Sequence, residues 1–355
     1  MFKQNYNVIG IMSGTSLDGV DLAHVKFFKN ENWTYEILET ETISYSESWL
    51  EILKSAVNFS KLELEQVNID YTYLLAEIIN TFISKYSIEN IDAICNHGHT
   101  ILHKPDLGYT LQIGNLPIIS KLINQDVVCD FRVQDVEFGG QGAPLVPIGD
   151  KFLFSEYYYC LNLGGFSNIS FDDKDQRIAF DISAVNTVLN YYSNSLGLPY
   201  DDKGEIAKSG NCNLELLEKL NNLEYYNLSY PKSLGIEFVN EFVFPLIESF
   251  KIPTEDKLNT FVEHIAFQIS RVITKISASL LITGGGVYND FLMERIKFYL
   301  PNNEVVIPNR KTIEFKEALI FAFLGVLKLR DEINVLSSVT GAKENHSSGK
   351  IYKKK

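Results

Sequence analysis

The sequence predicts an α/β protein of two similar lobes facing each other across a cleft, and three observations lead there. With 355 residues the chain exceeds what one ordinary hydrophobic core holds, so two lobes are the default. The order strand, glycine turn, strand, strand, helix occurs once in each half. A further glycine turn at Gly284, Gly285 and Gly286 joins an apolar strand to a helix, which is how α/β layers are built.

In the first half, residues 8–12, 20–28 and 35–44 read as a meander of strands, joined first by a glycine and aspartate turn at 14–19. Apolar residues at helical spacing then run from about 48 to 86, and a short strand follows at 92–96. In the second half, 158–163, 168–171 and 177–181 repeat the meander, with Gly164 and Gly165 in its first turn and a helix expected over 187–196. An amphipathic helix over 258–276 leads into a strand at 279–283 and a helix from about 290. The expected lobes are 1–155 and 156–355, with the segment after Ser337 a candidate to return to the first lobe.

The net charge of −13 argues against a general nucleic-acid surface, since phosphate backbones need clustered Lys and Arg. Cys95, Cys129, Cys160 and Cys212 are far apart and match neither zinc nor disulfide spacing. They read as incidental thiols in a reducing cytosol. Lys3, Gln4, Asn5 and Asn7 interrupt any apolar leader, and no run is long enough to span a bilayer. The expectation is a cytoplasmic protein with no membrane and no nucleic-acid partner.

The richest stretch is GIMSGTSLDGVD at 10–21. Gly14, Thr15, Ser16, Leu17, Asp18, Gly19, Val20 and Asp21 can turn backbone N–H groups and hydroxyls toward phosphate oxygens. It lacks the GK[ST] ending of a Walker loop and lies between two strands, so the dinucleotide fingerprint does not apply either. Asp18 and Asp21 would repel bare phosphate, whereas a Mg²⁺ ion reverses that sign, with Asp18 the candidate metal residue, directly or through water. A ligand-free hairpin turn fits Asp18 and Gly19 equally well. Gly164, Gly165 and the 284–286 glycines, with Asn289 close behind, add turns suited to a nucleotide.

Between the lobes the sequence offers His97, His99 and Thr100 at the end of a buried strand, then Arg132 and Asp135. Two histidines without a third ligand read as hydrogen-bonding residues before a metal pair. The planar fork of Arg132 suits a carboxylate or phosphate, or a salt bridge to Asp130 or Asp135. Asp181 ends a strand, where it can take a proton from water or cap the next helix. Glu317 opens a late helix, where acids also favour the dipole.

Taken together these residues resemble the anhydro-N-acetylmuramic acid kinases, relatives of hexokinase, actin and a class of heat-shock chaperones. The resemblance rests on MSGTSLDGVD (12–21), NHGHT (96–100), LQIGN (111–115), DFRVQD (130–135), GGQGAPLVP (139–147) and LNLGGFSN (161–168). YPKSLG (230–235), TGGGVYN (283–289), KEALIFAFLG (316–325) and VTGA (339–342) complete it. Two places depart: FDISAVN at 180–186 stands where the family carries FDTGPxN, and His99 stands where it carries glutamine. The resemblance implies two actin-like (ribonuclease H-like) lobes from an internal duplication, ATP and Mg²⁺ as cofactors, an amino-sugar substrate and a homodimer. It implies that Asp181 is a catalytic base, with Glu317 orienting the C6 oxygen. His97, Thr100, Arg132, Asp135 and Asn186 are the implied sugar contacts. Two rivals remain open at this point: a kinase of another amino sugar or hexose, and a non-catalytic ATP-binding switch.

Overall fold

The computed structural model describes residues 2–14 and 17–354. The contacts divide the chain into one unit of Met1–Leu153 with Phe315–Lys355 and a second of Phe154–Glu314. Residues 315–355 therefore count with the first unit, and the return expected after Ser337 begins at Phe315, where helix Arg310–Leu329 departs from helical backbone.

In chain order the strands are β1 (Asn5–Ser13), β2 (Val20–Lys29), β3 (Trp33–Ile43), β4 (Ala93–Lys104), β5 (Tyr109–Ile113), β6 (Val127–Cys129), β7 (Tyr159–Leu163), β8 (Phe166–Asp173), β9 (Gln176–Ala184), β10 (Ser279–Thr283), β11 (Glu304–Val306) and β12 (Lys350–Tyr352). The first sheet runs β12-β6-β4-β1-β2-β3, with β5 paired to β4, and the second runs β11-β10-β7-β8-β9. In each, the opening meander is antiparallel and the next strands join parallel to its first member. The two sheets thus share one core order, the duplicated ribonuclease H-like plan of actin-like proteins.

Central strand β1 buries Val8, Ile9 and Ile11 completely, as a strand covered on both faces must. The long apolar stretch near 48–86 forms two helices, Glu47–Ser55 and Lys61–Lys85, because Ser60 turns extended and caps the second through a reciprocal bond with Glu63. Tyr71, Leu75, Ile79 and Phe82 face the core from one side of that second helix. Helix 310–329 lies close against β1 and β4. A Cβ at Gly10 would collide with the Ala318 carbonyl, and one at Gly325 with the Cys95 side chain.

Beside it, Lys316 Nζ meets Asp150 Oδ1 at 2.8 Å with both side chains about nine-tenths or more buried. Removing one partner of a buried pair strands the other charge, so Lys316→Met is expected to lower unfolding free energy by about 3–5 kcal/mol. Urea titration of the purified variant checks this.

In the second unit, helix Thr254–Val272 puts Leu258, Phe261, Val262, Ile265, Ala266 and Ile269 on a fully buried stripe at helical spacing. It starts and ends a few residues earlier than the sequence suggests. Strand β9 continues past Asp181 to Ala184, and the next helix begins at Asn186.

Candidate active site

In the first unit, β1 and β2 pair from Asn5↔Phe28 to Ser13↔Val20, so Gly14 and residues 17–19 lie at the sheet end. Thr15 and Ser16 lie outside the described residues. Gly19 has φ +151°, and a Cβ there would meet the Ile43 carbonyl oxygen at 2.5 Å, so the turn closes only with glycine. Leu17 adopts a left-handed backbone at φ 63°. Asp18 is exposed, and among the described residues no donor is bonded to its carboxylate. Val20 is buried as the first residue of β2. Asp21 accepts a hydrogen bond from Thr42 Oγ1 at 2.5 Å.

Strand β4 carries the NHGHT residues. Asn96 Nδ2 donates to Gly114 O and Asn115 Oδ1, and Asn115 Nδ2 donates back to His97 O, tying NHGHT to LQIGN. His97 has both ring nitrogens engaged: Nδ1 pairs with Gly98 O at 2.7 Å and Nε2 accepts from Arg132 Nε at 2.8 Å. Burial, with Arg132 adding to it, holds His97 well below the ordinary imidazole pKa, so the ring is neutral and fit to accept. Arg132 also donates from Nη1 to Gly142 O at 2.6 Å. Burial lowers its pKa to about 10, opposed by Glu317 and Asp135, and it stays charged at neutral pH.

Asp135, read from the sequence as a sugar contact, has no face left for one. It is completely buried; Oδ2 accepts from Gly142 N at 2.7 Å and Oδ1 from Thr340 Oγ1 at 2.8 Å. It holds the 139–144 turn to the VTGA segment, and the low dielectric around it makes both bonds obligatory. His97 likewise acts on Arg132 and not outward. Thr100 is half-buried and accepts from Gln112 Nε2 at 3.3 Å.

Glu317 is open to solvent, yet desolvation by the surrounding protein is the first cause of a raised carboxyl pKa. Asp21 raises it further, while Arg132 and Lys316 hold it down. Asp21, Glu317 and Arg132 therefore share one electrostatic neighbourhood in the first unit.

In the second unit the glycine turns come together. A Cβ on Gly284, whose φ is +86°, would meet Asn162 Oδ1 at 2.6 Å and Leu163 O at 2.7 Å, and one on Gly286 would meet the Leu163 side chain at 2.7 Å. A Cβ on Gly165 would meet Thr187 Oγ1 at 2.8 Å, and Asn186 N donates to Gly164 O. Gly285 is exposed, and a Cβ there would have only Asn186 Nδ2 near it, at 3.8 Å. Asn186 thus stands beside the nucleotide-type turns. Asn289 spends its side chain on the helix it opens, accepting from Leu292 N at 2.9 Å.

Asp181 sits half-exposed on β9, opposite Asn168 of β8. Oδ2 accepts from Leu234 N at 2.9 Å, its carbonyl accepts from Tyr225 OH at 2.6 Å, and its N–H donates to Lys232 O. Among the described residues no donor is bonded to Oδ1. One oxygen is anchored and the other is available, the geometry of a positioned base. Burial raises its pKa above the ordinary carboxylate value and the Leu234 bond partly opposes this. The YPKSLG match flagged the 230–235 segment in the sequence, but only the structure shows it as the holder of Asp181.

Both departures from the family pattern are buried. Ile182, Ser183, Ala184 and Val185 are at most 2% exposed, and His99 is 3% exposed. Among the described residues, no group of three or more His, Cys, Asp or Glu side chains could hold a metal.

Residues 6–354 match the family model of anhydro-N-acetylmuramic acid kinase. The anhydro-N-acetylmuramic acid kinase of Vibrio parahaemolyticus serotype O3:K6 (strain RIMD 2210633) is 33% identical over 371 residues, covering 99% of this chain and 100% of the relative. That of Pasteurella multocida (strain Pm70) is 35% identical over 366 residues, covering 98% and 96%. Among solved structures, the activator of the 2-hydroxyisocaproyl-CoA dehydratase from Clostridium difficile with bound ADPNP aligns at 14% identity and a TM-score of 0.45, over 91% of this chain and 96% of that one. The family and sequence matches put the chain in the class of ATP-dependent sugar kinases. It belongs to the anhydro-N-acetylmuramic acid kinase family.

Proposed function

We infer that this chain phosphorylates 1,6-anhydro-N-acetylmuramic acid with ATP and opens the anhydro ring in the same event, giving N-acetylmuramic acid 6-phosphate for cell-wall recycling. The observation that carries the reading is the burial of both departures from the family pattern, at 182–185 and at His99, within a match that spans residues 6–354. Changes packed into cores leave the sugar-facing chemistry as the family has it.

In this reading Asp181 Oδ1 takes a proton from water as the water oxygen attacks the anomeric carbon. The bond from that carbon to the C6 oxygen breaks, and its electron pair stays on oxygen. That oxygen attacks the γ-phosphorus and ADP leaves. Glu317 orients the C6 oxygen. Arg132, fixed by His97, offers its remaining N–H donors to the sugar, together with Thr100 and Asn186. The 14–21 hairpin and the glycines at 164, 165 and 284–286 take the triphosphate and nucleotide. The reaction needs mainly positioning and charge neutralisation.

The exposed carboxylate of Asp18, to which no donor is bonded among the described residues, fits a hydrated divalent cation. Asp18 would hold Mg²⁺ through water, and the bound ion would neutralise phosphate charge. We place the reaction in the bacterial cytoplasm, without nucleic-acid or membrane partners, and assign a homodimer as the active form.

Mass spectrometry of products formed in oxygen-18 water tests the reaction. The expected result is label at the anomeric position of a sugar phosphorylated on C6. Turnover of a simple hexose with none of the anhydro sugar would reject the specificity, and ATP binding without sugar turnover would return the chain to the switch class.

A further inference from the structure

Beneath the 14–19 hairpin lies a closed polar knot that the reaction above does not use. Ser13, the last residue of β1, is 2% exposed and its hydroxyl meets three groups: Tyr45 OH at 2.5 Å, His99 Nδ1 at 2.8 Å and Tyr71 OH at 2.9 Å. Tyr45 OH and Tyr71 OH are themselves 2.6 Å apart. Tyr71 is fully buried, and His99 and Tyr45 are nearly so.

These four contacts fix the protons. Tyr71 donates to Ser13. If Ser13 donated to His99, the 2.5 Å contact from Ser13 to Tyr45 or the 2.6 Å contact between the tyrosines would be left without a hydrogen, with bare oxygens facing each other in a buried site. The contacts are all filled only when Ser13 donates to Tyr45, Tyr45 to Tyr71 and Tyr71 to Ser13. The fourth donor must then be His99. Burial lowers the His99 pKa to about 4, so the ring is neutral and carries a single proton.

We propose that His99 is a positioning residue, held as the Nδ1–H tautomer, which donates to Ser13 and thereby fixes the root of the 14–19 hairpin. Its Nε2 then keeps a lone pair, so the ring presents one donor and one acceptor, where a glutamine amide has two N–H donors and a carbonyl acceptor. One amide N–H of a glutamine at 99 has the chemistry to fill the same donor role at Ser13. The kinetic part of the proposal rests on the reading of the hairpin as the phosphate site.

Nitrogen-15 NMR of the histidine rings in the full-length protein tests the proton placement, with His99→Gln identifying the resonance by its loss. The expected spectrum at neutral pH shows His99 protonated on Nδ1 and bare on Nε2. Steady-state kinetics complete the test. His99→Gln should keep KM for ATP and kcat within about twofold of the parent, whereas His99→Leu, which removes a buried hydrogen-bond partner, should raise KM for ATP by roughly five- to tenfold. Retained far-ultraviolet circular dichroism shows that the leucine variant is folded, and rescue by glutamine separates positioning from packing. An Nε2–H ring, an imidazolium, or a leucine variant with parental kinetics would overturn the proposal. The hairpin reading is tested separately by Asp18→Asn. Unchanged ATP kinetics there would reject the phosphate site and leave the tautomer result standing.

Discussion

Asp181→Asn is expected to lower kcat for phosphorylation of the anhydro sugar by about 10³-fold, within the range a positioned general base contributes, while the affinity for ATP stays at the parental value. Asparagine preserves the anchor, because its oxygen still accepts from Leu234 N, but it cannot take a proton. Isothermal titration with ATP beside a coupled assay separates the two effects, and an active asparagine variant would exclude the base role. The raised pKa of Asp181 gives the sign of two further results. The base works ionised, so activity falls as pH drops through a limb lying above the ordinary carboxylate value. A carboxyl whose folded pKa exceeds its unfolded one contributes stability at acid pH that is lost as pH rises through the folded value. At neutral pH the ionised group therefore opposes folding, and the asparagine variant should melt no lower than the parent.

Gly285→Val should weaken ATP binding without harming the fold. Gly285 is exposed, its φ is outside the left-handed region, and a Cβ there has no neighbour closer than 3.8 Å. The added branches occupy space that the proposal gives to nucleotide. Overpacking a filled site costs about 1–3 kcal/mol, which corresponds to roughly fivefold to 150-fold in affinity. Calorimetric titration with ATP measures it, and a thermal midpoint within about 2 °C of the parent shows that the loss is local. The neighbouring Gly284 cannot serve for this test, because its φ of +86° and the close approach of Leu163 would unfold the turn itself.

The elements that alternate cleanly were legible in the sequence. The three-strand meanders and the helix before β10 needed only apolar spacing and glycine turns. The break between helices Glu47–Ser55 and Lys61–Lys85 was missed because apolar spacing carries across it, while the decisive signal was the pairing of Ser60 with Glu63. The return of the chain to the first unit at Phe315 was hidden because it follows from close approach at Gly10 and Gly325, which no local pattern reports. Asp181 and Arg132 were legible as polar residues near element ends, although β9 runs three residues past Asp181. Asp135 and His97 were legible as polar but not as occupied, since the groups that saturate them, Gly142, Thr340, Gly98 and Arg132, are brought by the fold. The altered residues 182–185 suggested changed specificity by sequence; the structure shows them buried at the end of β9 and just beyond it.

The second unit, Phe154–Glu314, is inserted whole within the first, and this orders events during synthesis. Every residue of the inserted unit leaves the ribosome before helix 310–329 is complete and before β12 can pair with β6 through Ile351 and Val128. Domains fold as units when their residues emerge. The middle of the protein is thus free to mature first, while the opening segment Met1–Leu153 waits with the Gly10 side of β1 uncovered. A stop codon in the last forty or so codons would spare the younger half and cripple the older one.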